Sequence, residues 1–527
     1  MSDAADRWWL GATLYHIYVR SFADTDGDGY GDLRGVTGRL DHLAWLGVDG
    51  IWLSPTMPSP DEDWGYDVAD YTAVHPELGT LGDLDELIAR ADGLGIRVML
   101  DLVPNHTSSA HPWFAEARAS RDSPRRHWYV WADPAPGGGP PNNWLDPTGA
   151  PAWTLDGHTG QYYLHNYLPG QPDLNWWEPA VHEEFRRILR FWFGRGVAGV
   201  RIDVAHGLYK DAELRDNPPL GDGSPQDGRH GLRSAFSANQ PEVHDVYRDW
   251  RRIADGYRPP RLLLGETWVG DLARLAGYYG HDDELQLALN IPFLFAGFTA
   301  PALAGVVAET LARLPPRACP VWAASNHDAG RFPSRWCEGD EDRARLALLV
   351  LATLPGTLVL YYGDEIAMTD TAVPPELRRD PMSLDRPAGA CRDRGRTPMP
   401  WDASPAAGFT AGPGRPWLPL GGHAARNVAS QRADAGSVLW LCRRLLGLRR
   451  EWLGGAGAAD YRQLPAPPGV WCYRTGPLVV AANLSDGPAS LPGPAGEVLL
   501  TTHGADGQAA APGSLGPWEG AVIRPAP

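Results

Sequence analysis

GVRIDVAH, Gly199 to His206, alternates apolar and polar side chains and ends on an acid and an imidazole. Successive side chains of an extended strand point to opposite faces, so Arg201 and Asp203 share a face and Arg201 can hold Asp203 ionised. Three other strand-like runs carry an acidic residue: DLVPNH (Asp101 to His106), LLGETW (Leu263 to Trp268) and AASNHD (Ala323 to Asp328). Reading outward, short β-branched or aromatic runs that end in polar residues begin near Leu14, Gly50, Val98, Val200, Leu263, Leu287, Val321 and Leu358. Each except the last is followed by a stretch able to form a helix. Eight alternating units predict an α/β fold, a (β/α)8 TIM barrel rather than an open doubly wound sheet.

The interval from Val98 to Val200 is far longer than the others and rich in Pro, Gly, Asn and Trp. Loops after barrel strands build the catalytic mouth, so an insert at about residues 105–175 should wall one side of a pocket. The last unit carries a second excursion, about Ala367 to Ser430, with RDRGRTPMPWD and PWLPL. Past the helical pattern LWLCRRLLGLRREW (Leu439 to Trp452) the chain turns to short strands, which predicts a small C-terminal all-β domain. The expected domains are barrel residues 1–104 and 176–454, the inserted domain 105–175 and the β domain 455–527.

A net charge of −17 argues against nucleic acid as a partner, because phosphate binding needs clustered Lys and Arg. Neither a signal-like N-terminus nor an uninterrupted apolar run of eighteen residues is present, so a cytoplasmic protein with no membrane contact is expected. Five widely spaced cysteines, none in a C-x-x-C pair, fit reduced thiols. The 23 Trp fit packing, and some of them sugar stacking.

A carboxylate just past a barrel strand points into the mouth. Retaining glycoside cleavage needs an ionised nucleophile and, about 5 Å away, a protonated carboxyl. Asp203 suits the first role. Glu266 suits the second, with apolar neighbours Leu263, Leu264 and Trp268 to desolvate it. Asp328, beside His327, completes a trio on strands four, five and seven.

These strings, with GYDVADY (Gly65 to Tyr71), strongly resemble the α-amylase family of glycoside hydrolases across the whole barrel and its insert. The resemblance implies Asp203 as nucleophile, Glu266 as acid/base and Asp328 as the group that grips sugar hydroxyls. It implies His106, Arg201 and His327 as further contacts to the buried glucose. QPDLN (Gln171 to Asn175) resembles the oligo-1,6-glucosidase and α-glucosidase branch. That implies an exo-acting enzyme for short α-glucosides, with Asp63 and Tyr66 at a closed pocket end, and Tyr167 and Gln171 lining it. An Arg of RDRGRTP should pair with Asp63: Arg392, with Arg396 as the alternative.

The loop DTDGDGYGD (Asp24 to Asp32) alternates acids with small residues, a spacing that suits Ca2+ or Mg2+. Its twelfth position is Gly35 instead of Glu, so it is not an EF-hand. The resemblance implies a structural Ca2+ held by Asp24, Asp26, Asp28, the Tyr30 carbonyl and Asp32, and no organic cofactor. Trehalose synthases and sucrose isomerases share the trio, although AGRFPSRWCEGDED after strand seven is too acidic for the isomerases' arginine-rich loop. Non-enzymatic barrels of this kind lack the trio and carry a membrane span. Val204 after the nucleophile points to α-1,6 substrates, whereas the strings around it resemble α-1,4-acting glucosidases, so linkage stays open. The expected state is a monomer or simple homodimer.

Overall fold

The computed structural model describes residues 7–526 apart from 224, 383–390, 413, 456–457, 491–495 and 505–512. Part of the Ala367–Ser430 excursion therefore lies outside the described residues. Eight parallel strands make the barrel: β1 (Thr13–Ile17), β2 (Gly50–Leu53), β3 (Arg97–Leu102), β4 (Gly199–Ile202), β5 (Leu262–Gly265), β6 (Leu287–Ala288), β7 (Val321–Ala323) and β8 (Thr357–Tyr361). Each begins within one residue of its sequence-predicted start. Their order is β6-β5-β4-β3-β2-β1-β8-β7. Pairing of β1 with both β2 and β8 wraps the sheet round, and the remaining gap lies between β6 and β7.

Eight helices form the outer layer: α1 (Leu33–Leu46), α2 (Leu81–Gly93), α3 (Pro179–Gly194), α4 (Val243–Asp255), α5 (Leu272–Gly277), α6 (Ala300–Arg313), α7 (Glu341–Thr353) and α8 (Val438–Trp452). The eighth strand thus has a helix too, reached after the long excursion. Starts are set by side chains that accept orphan backbone N–H groups: Asp32 from Gly35 at α1, and Ser437 from Trp440 at α8. Thr80 and Asp83 make a reciprocal capping box at α2.

Strand parity divides the core in two. Leu14, Trp52, Met99, Leu262, Leu264, Val321 and Val359 pack inside the barrel. Ile51, Val98, Leu100, Val200, Ile202, Leu263 and Leu358 pack outward against the helices. Residues one position away from an outward residue must face inward, so Asp101, Arg201 and Asp203 enter the barrel above its apolar floor.

The insert has its own antiparallel sheet of Trp131–Ala132, Gln161–Leu164 and Trp153–Asp156, over a cluster of Trp144, Ala152, Trp153, Tyr162 and Leu164. A second long loop, between β4 and α4, had not been singled out in the sequence. It carries the hairpin Gly228–Arg229/Leu232–Arg233 and lies along the insert. Trp144 Nε1 donates to Arg215 O (2.9 Å) and Asn143 N to Asp216 Oδ1 (2.9 Å). The C-terminal strands form an antiparallel sheet in the order Tyr461–Leu464, Val470–Thr475, Leu478–Asn483, Gly520–Pro525, Gly496–Thr501. The sheet meets α7, where the Thr353 and Tyr473 hydroxyls lie 2.6 Å apart. Among the described residues no helix is long and apolar enough to cross a membrane.

Candidate active site

Three carboxyl groups share one guanidinium at the top of β3, β4 and β5. Arg201, 1 % exposed, donates from Nη1 to Asp101 Oδ1 (2.8 Å) and Asp203 Oδ1 (2.7 Å). Its Nη2 lies 2.8 Å from Glu266 Oε1. Asp101 also accepts from Trp52 Nε1 (3.1 Å) and the Tyr66 hydroxyl (3.1 Å). One positive charge cannot balance three buried negative ones. Burial, then the neighbouring Glu266 and Asp101 charges, push the Asp203 carboxyl well above the usual range against the pull of Arg201. Burial likewise raises Asp101, to about 6. Arg201 pulls Asp203 toward ionisation, as the strand pattern suggests, and the burial and crowding of the three acids oppose it.

Glu266 is held differently from the sequence expectation. Leu263 and Leu264 turn into the two cores, and the carboxylate instead meets Arg201 and the Val204 N–H (Oε2, 3.0 Å). That second donor is available because Val204 adopts φ 47°, a left-handed conformation costly for a β-branched residue. The strain, about 1–3 kcal/mol, aims the Val204 amide at the Glu266 carboxylate.

Asp328 lies opposite. Burial alone would raise its carboxyl, but His327, Arg392, Arg396 and Arg201 outweigh this and hold it far below the ordinary carboxylate range. Arg392 Nη1 and Arg396 Nη2 each donate to its Oδ1 (3.1 Å). His327, lowered to about 3 by burial and the surrounding arginines, is neutral; its Nε2 is 3.2 Å from Asp328 Oδ2 and its ring stacks on Tyr66.

Arg392, and not Arg396, is the partner of Asp63: its Nη2 donates to Asp63 Oδ1 (2.8 Å). Arg396 is spent on His327 O (2.9 Å) and Asp328. Gln171 Nε2 donates to Asp63 Oδ2 (3.2 Å), so the insert and the last excursion meet at this pocket end. Asp380, absent from the sequence reading, accepts from Arg392 Nε (2.9 Å) and Nη2 (2.7 Å) and fixes the guanidinium plane. His106 donates from Nε2 to Tyr66 O (3.0 Å) and packs on Tyr167 at 5.5 Å. Burial lowers it to about 4, so it too is neutral. Below it Lys210, also missed, joins Asn105 Oδ1 (2.8 Å) to Asp173 Oδ2 (2.7 Å) and ties the two ends of the insert together.

These groups surround a cavity of about 340 Å3. Asp63, Tyr66, His106, Tyr167, Gln171, Asp203, Glu266, His327, Asp328 and Arg392 line it, as the sequence predicts; Arg201 and Arg396 stand directly behind. Its other wall is the unforeseen β4–α4 loop, with His206, Arg229 and Asn239, faced by Trp268. Of the 23 Trp, Trp268 lines the cavity, and eight others are among the largest fully buried side chains.

In the first loop the carboxylates of Asp24, Asp26 and Asp28 offer oxygens within 4.8 Å of one another. Asp28 is raised by burial and by the charges of Asp26 and Asp24. Gly29, at φ +101°, makes the turn; a Cβ there would meet Arg415 O at 2.2 Å. The Tyr30 amide donates to Asp28 (2.7 Å). Asp32 is turned away, taking Thr25 N (2.7 Å) and Gly35 N (2.7 Å) as the cap of α1. The three clustered carboxylates are a hard oxygen set of the kind Ca2+ takes.

Asp101 shows how a missed residue could have been found, since it shares strand parity with inward Met99. Asp380, Lys210 and Arg229 carry no such signal, because irregular loops deliver them.

Comparison with known proteins bears on this geometry. Residues 16–454 match the family model described as alpha amylase, catalytic domain, and residues 452–522 match a domain of unknown function, DUF3459. A probable alpha-glucosidase of Rhizobium meliloti (strain 1021) is 42% identical over 459 residues, 84% of this chain and 82% of that one. A trehalose-6-phosphate hydrolase of Escherichia coli (strain K12) is 38% identical over 519 residues, 91% of each. The crystal structure of the alpha-glucosyl transfer enzyme XgtA superposes with a TM-score of 0.90 at 38% identity, covering 98% of this chain and 99% of that one.

Proposed function

Because this chain belongs to the α-amylase family of glycoside hydrolases, we propose that it is an exo-acting retaining α-glucosidase releasing α-glucose from the non-reducing end of short α-glucosides. The observation that carries the exo-acting reading is the Asp63–Arg392–Asp328 chain, braced by Asp380 and Gln171. It closes one end of the cavity, beyond the nucleophile.

Asp203 attacks the anomeric carbon while Glu266 gives its proton to the departing glycosidic oxygen, forming a β-glucosyl ester on Asp203. Entry of the sugar draws Asp203 toward carbon and away from Arg201, which stays with Asp101. Glu266, now a carboxylate, takes a proton from water, and the hydroxide oxygen displaces Asp203 to give α-glucose. Asp328, kept ionised by its arginines, accepts hydrogen bonds from ring hydroxyls, and these tighten as the ring gains positive charge.

A sugar in place of water would give transglucosylation; the likeness to an alpha-glucosyl transfer enzyme favours this as a second outcome at high acceptor concentration. Linkage preference between α-1,4 and α-1,6 follows from neither Val204 nor the closed end. The clustered Asp24, Asp26 and Asp28 would hold a Ca2+ with a purely structural role, neutralising mutually repelling carboxylates beside the cap of α1. Five buried cysteines, none of them placed in a disulfide, support a reducing cytoplasm.

Product analysis tests the reading. Maltose and isomaltose should each be followed by linkage and anomer. Initial release of α-glucose is expected; initial β-glucose, or new disaccharides with little glucose, overturns it.

A further inference from the structure

Deepening that reading, we propose that Arg229 makes the leaving-group side of the cavity selective for α-glucosides whose departing group carries a negative charge, a phosphate or a carboxylate. The cavity runs from the closed Asp63–Arg392 end past Asp203 and Glu266 to the β4–α4 loop. Glu266 protonates the departing oxygen, so residues on its far side meet the departing group. His206, 3.4 Å from Glu266 O through Nδ1, and Trp268 lie there, and Arg229 completes that wall.

Among the described residues two arginines line the cavity, and they are balanced differently. Arg392 is paired with Asp63, Asp328 and Asp380. Among the described residues Arg229 has no carboxylate within ion-pair distance. It gives one N–H to Asn166 O and lays its guanidinium 4.8 Å over the Tyr167 ring, which leaves its other N–H groups to the cavity. Asp227, on the same wall, is turned to the Gly270 amide (2.9 Å). The His206 imidazole adds no charge: burial and Arg229 lower it to about 3. A half-buried, anchored guanidinium without a carboxylate partner stabilises an incoming anion by charge-assisted hydrogen bonds, ordinarily bidentate to phosphate or carboxylate. A neutral sugar would leave that charge unmatched.

The test compares kcat/KM within two pairs, trehalose with trehalose 6-phosphate and phenyl with 4-carboxyphenyl α-glucoside, for the full-length protein and the variants R229Q and R229K. Preference for the anionic member by about tenfold or more is expected in at least one pair, the scale of one charge-assisted hydrogen bond. A preference confined to the first pair assigns phosphate, one confined to the second assigns carboxylate. R229Q should collapse that ratio, R229K should keep most of it, and rising ionic strength should erode it in the unaltered protein without reliance on either variant. Cleavage of all four without preference, or a ratio unchanged in R229Q, overturns the inference and spares the α-glucosidase reading. Cleavage of none overturns both.

Discussion

Replacing Arg201 with Met should produce a stability loss that depends on pH in a sense set by the carboxyl cluster. The side chain is buried and hydrogen-bonded or ion-paired to Asp101, Asp203 and Glu266, so its removal leaves three acids around no counter-charge. Breaking a buried ion pair from one side costs about 3–5 kcal/mol when the remaining charge persists. The acids can instead bind protons. Asp101 and Asp203 already have folded pKa values above the unfolded value of about 3.9, and loss of Arg201 moves them higher. A carboxyl raised in the folded state binds more protons there than in the unfolded chain, so stability falls as pH rises through the folded pKa. Near pH 5 both proteins hold Asp101 protonated, and the R201M deficit should be small. Above about pH 6, where Asp101 in the unaltered protein ionises against Arg201, the deficit should widen by about 1.4 kcal/mol per pH unit for each carboxyl held protonated. At pH 8 the Asp101 contribution alone is about 2.8 kcal/mol, a melting point about 2–3 °C lower for a chain of this length unfolding as one unit. Thermal melts of both proteins from pH 5 to 8 measure this. A deficit of the same size at every pH would refute the shared-charge account and reduce Arg201 to a packing element.

D203N should fold with an unchanged melting point and lose about four orders of magnitude or more in kcat, the scale of removing a covalent nucleophile; turnover within tenfold of the original would remove Asp203 from that role. E266Q should lower kcat on maltose about a hundred- to ten-thousandfold and less on an aryl glucoside whose departing group needs no proton, so equal losses on both would contradict the acid assignment. The double variant D24A/D26A should melt lower than the unaltered protein in Ca2+ and no longer respond to a chelator; a chelator-insensitive unaltered protein would dismiss the metal.

The barrel and its catalytic trio were legible because they follow from parity along single strands. Alternation in GVRIDVAH places Val200 and Ile202 against helices, and Arg201 and Asp203 into the mouth, before any partner is known. The clustering of Asp24, Asp26 and Asp28 is similarly local, fixed by turn spacing within one loop. Tertiary structure decided what depends on charge balance and on distant segments. A single Arg201 had to be divided among acids on three strands, which no one strand reveals, and the other two acids oppose its pull on Asp203. Arg392 and Arg396 stand four apart in one string, and only the 3-10 turn at Arg392–Gly395 sends the first to Asp63 and the second to His327 and Asp328. Asp380 and Arg229 arrive on irregular loops, where sequence carries no period to project a side chain's direction. Composition and short-range pattern therefore determine the scaffold and the reacting groups of this protein. The shape and charge of the space around them arise from contacts between segments far apart in the chain.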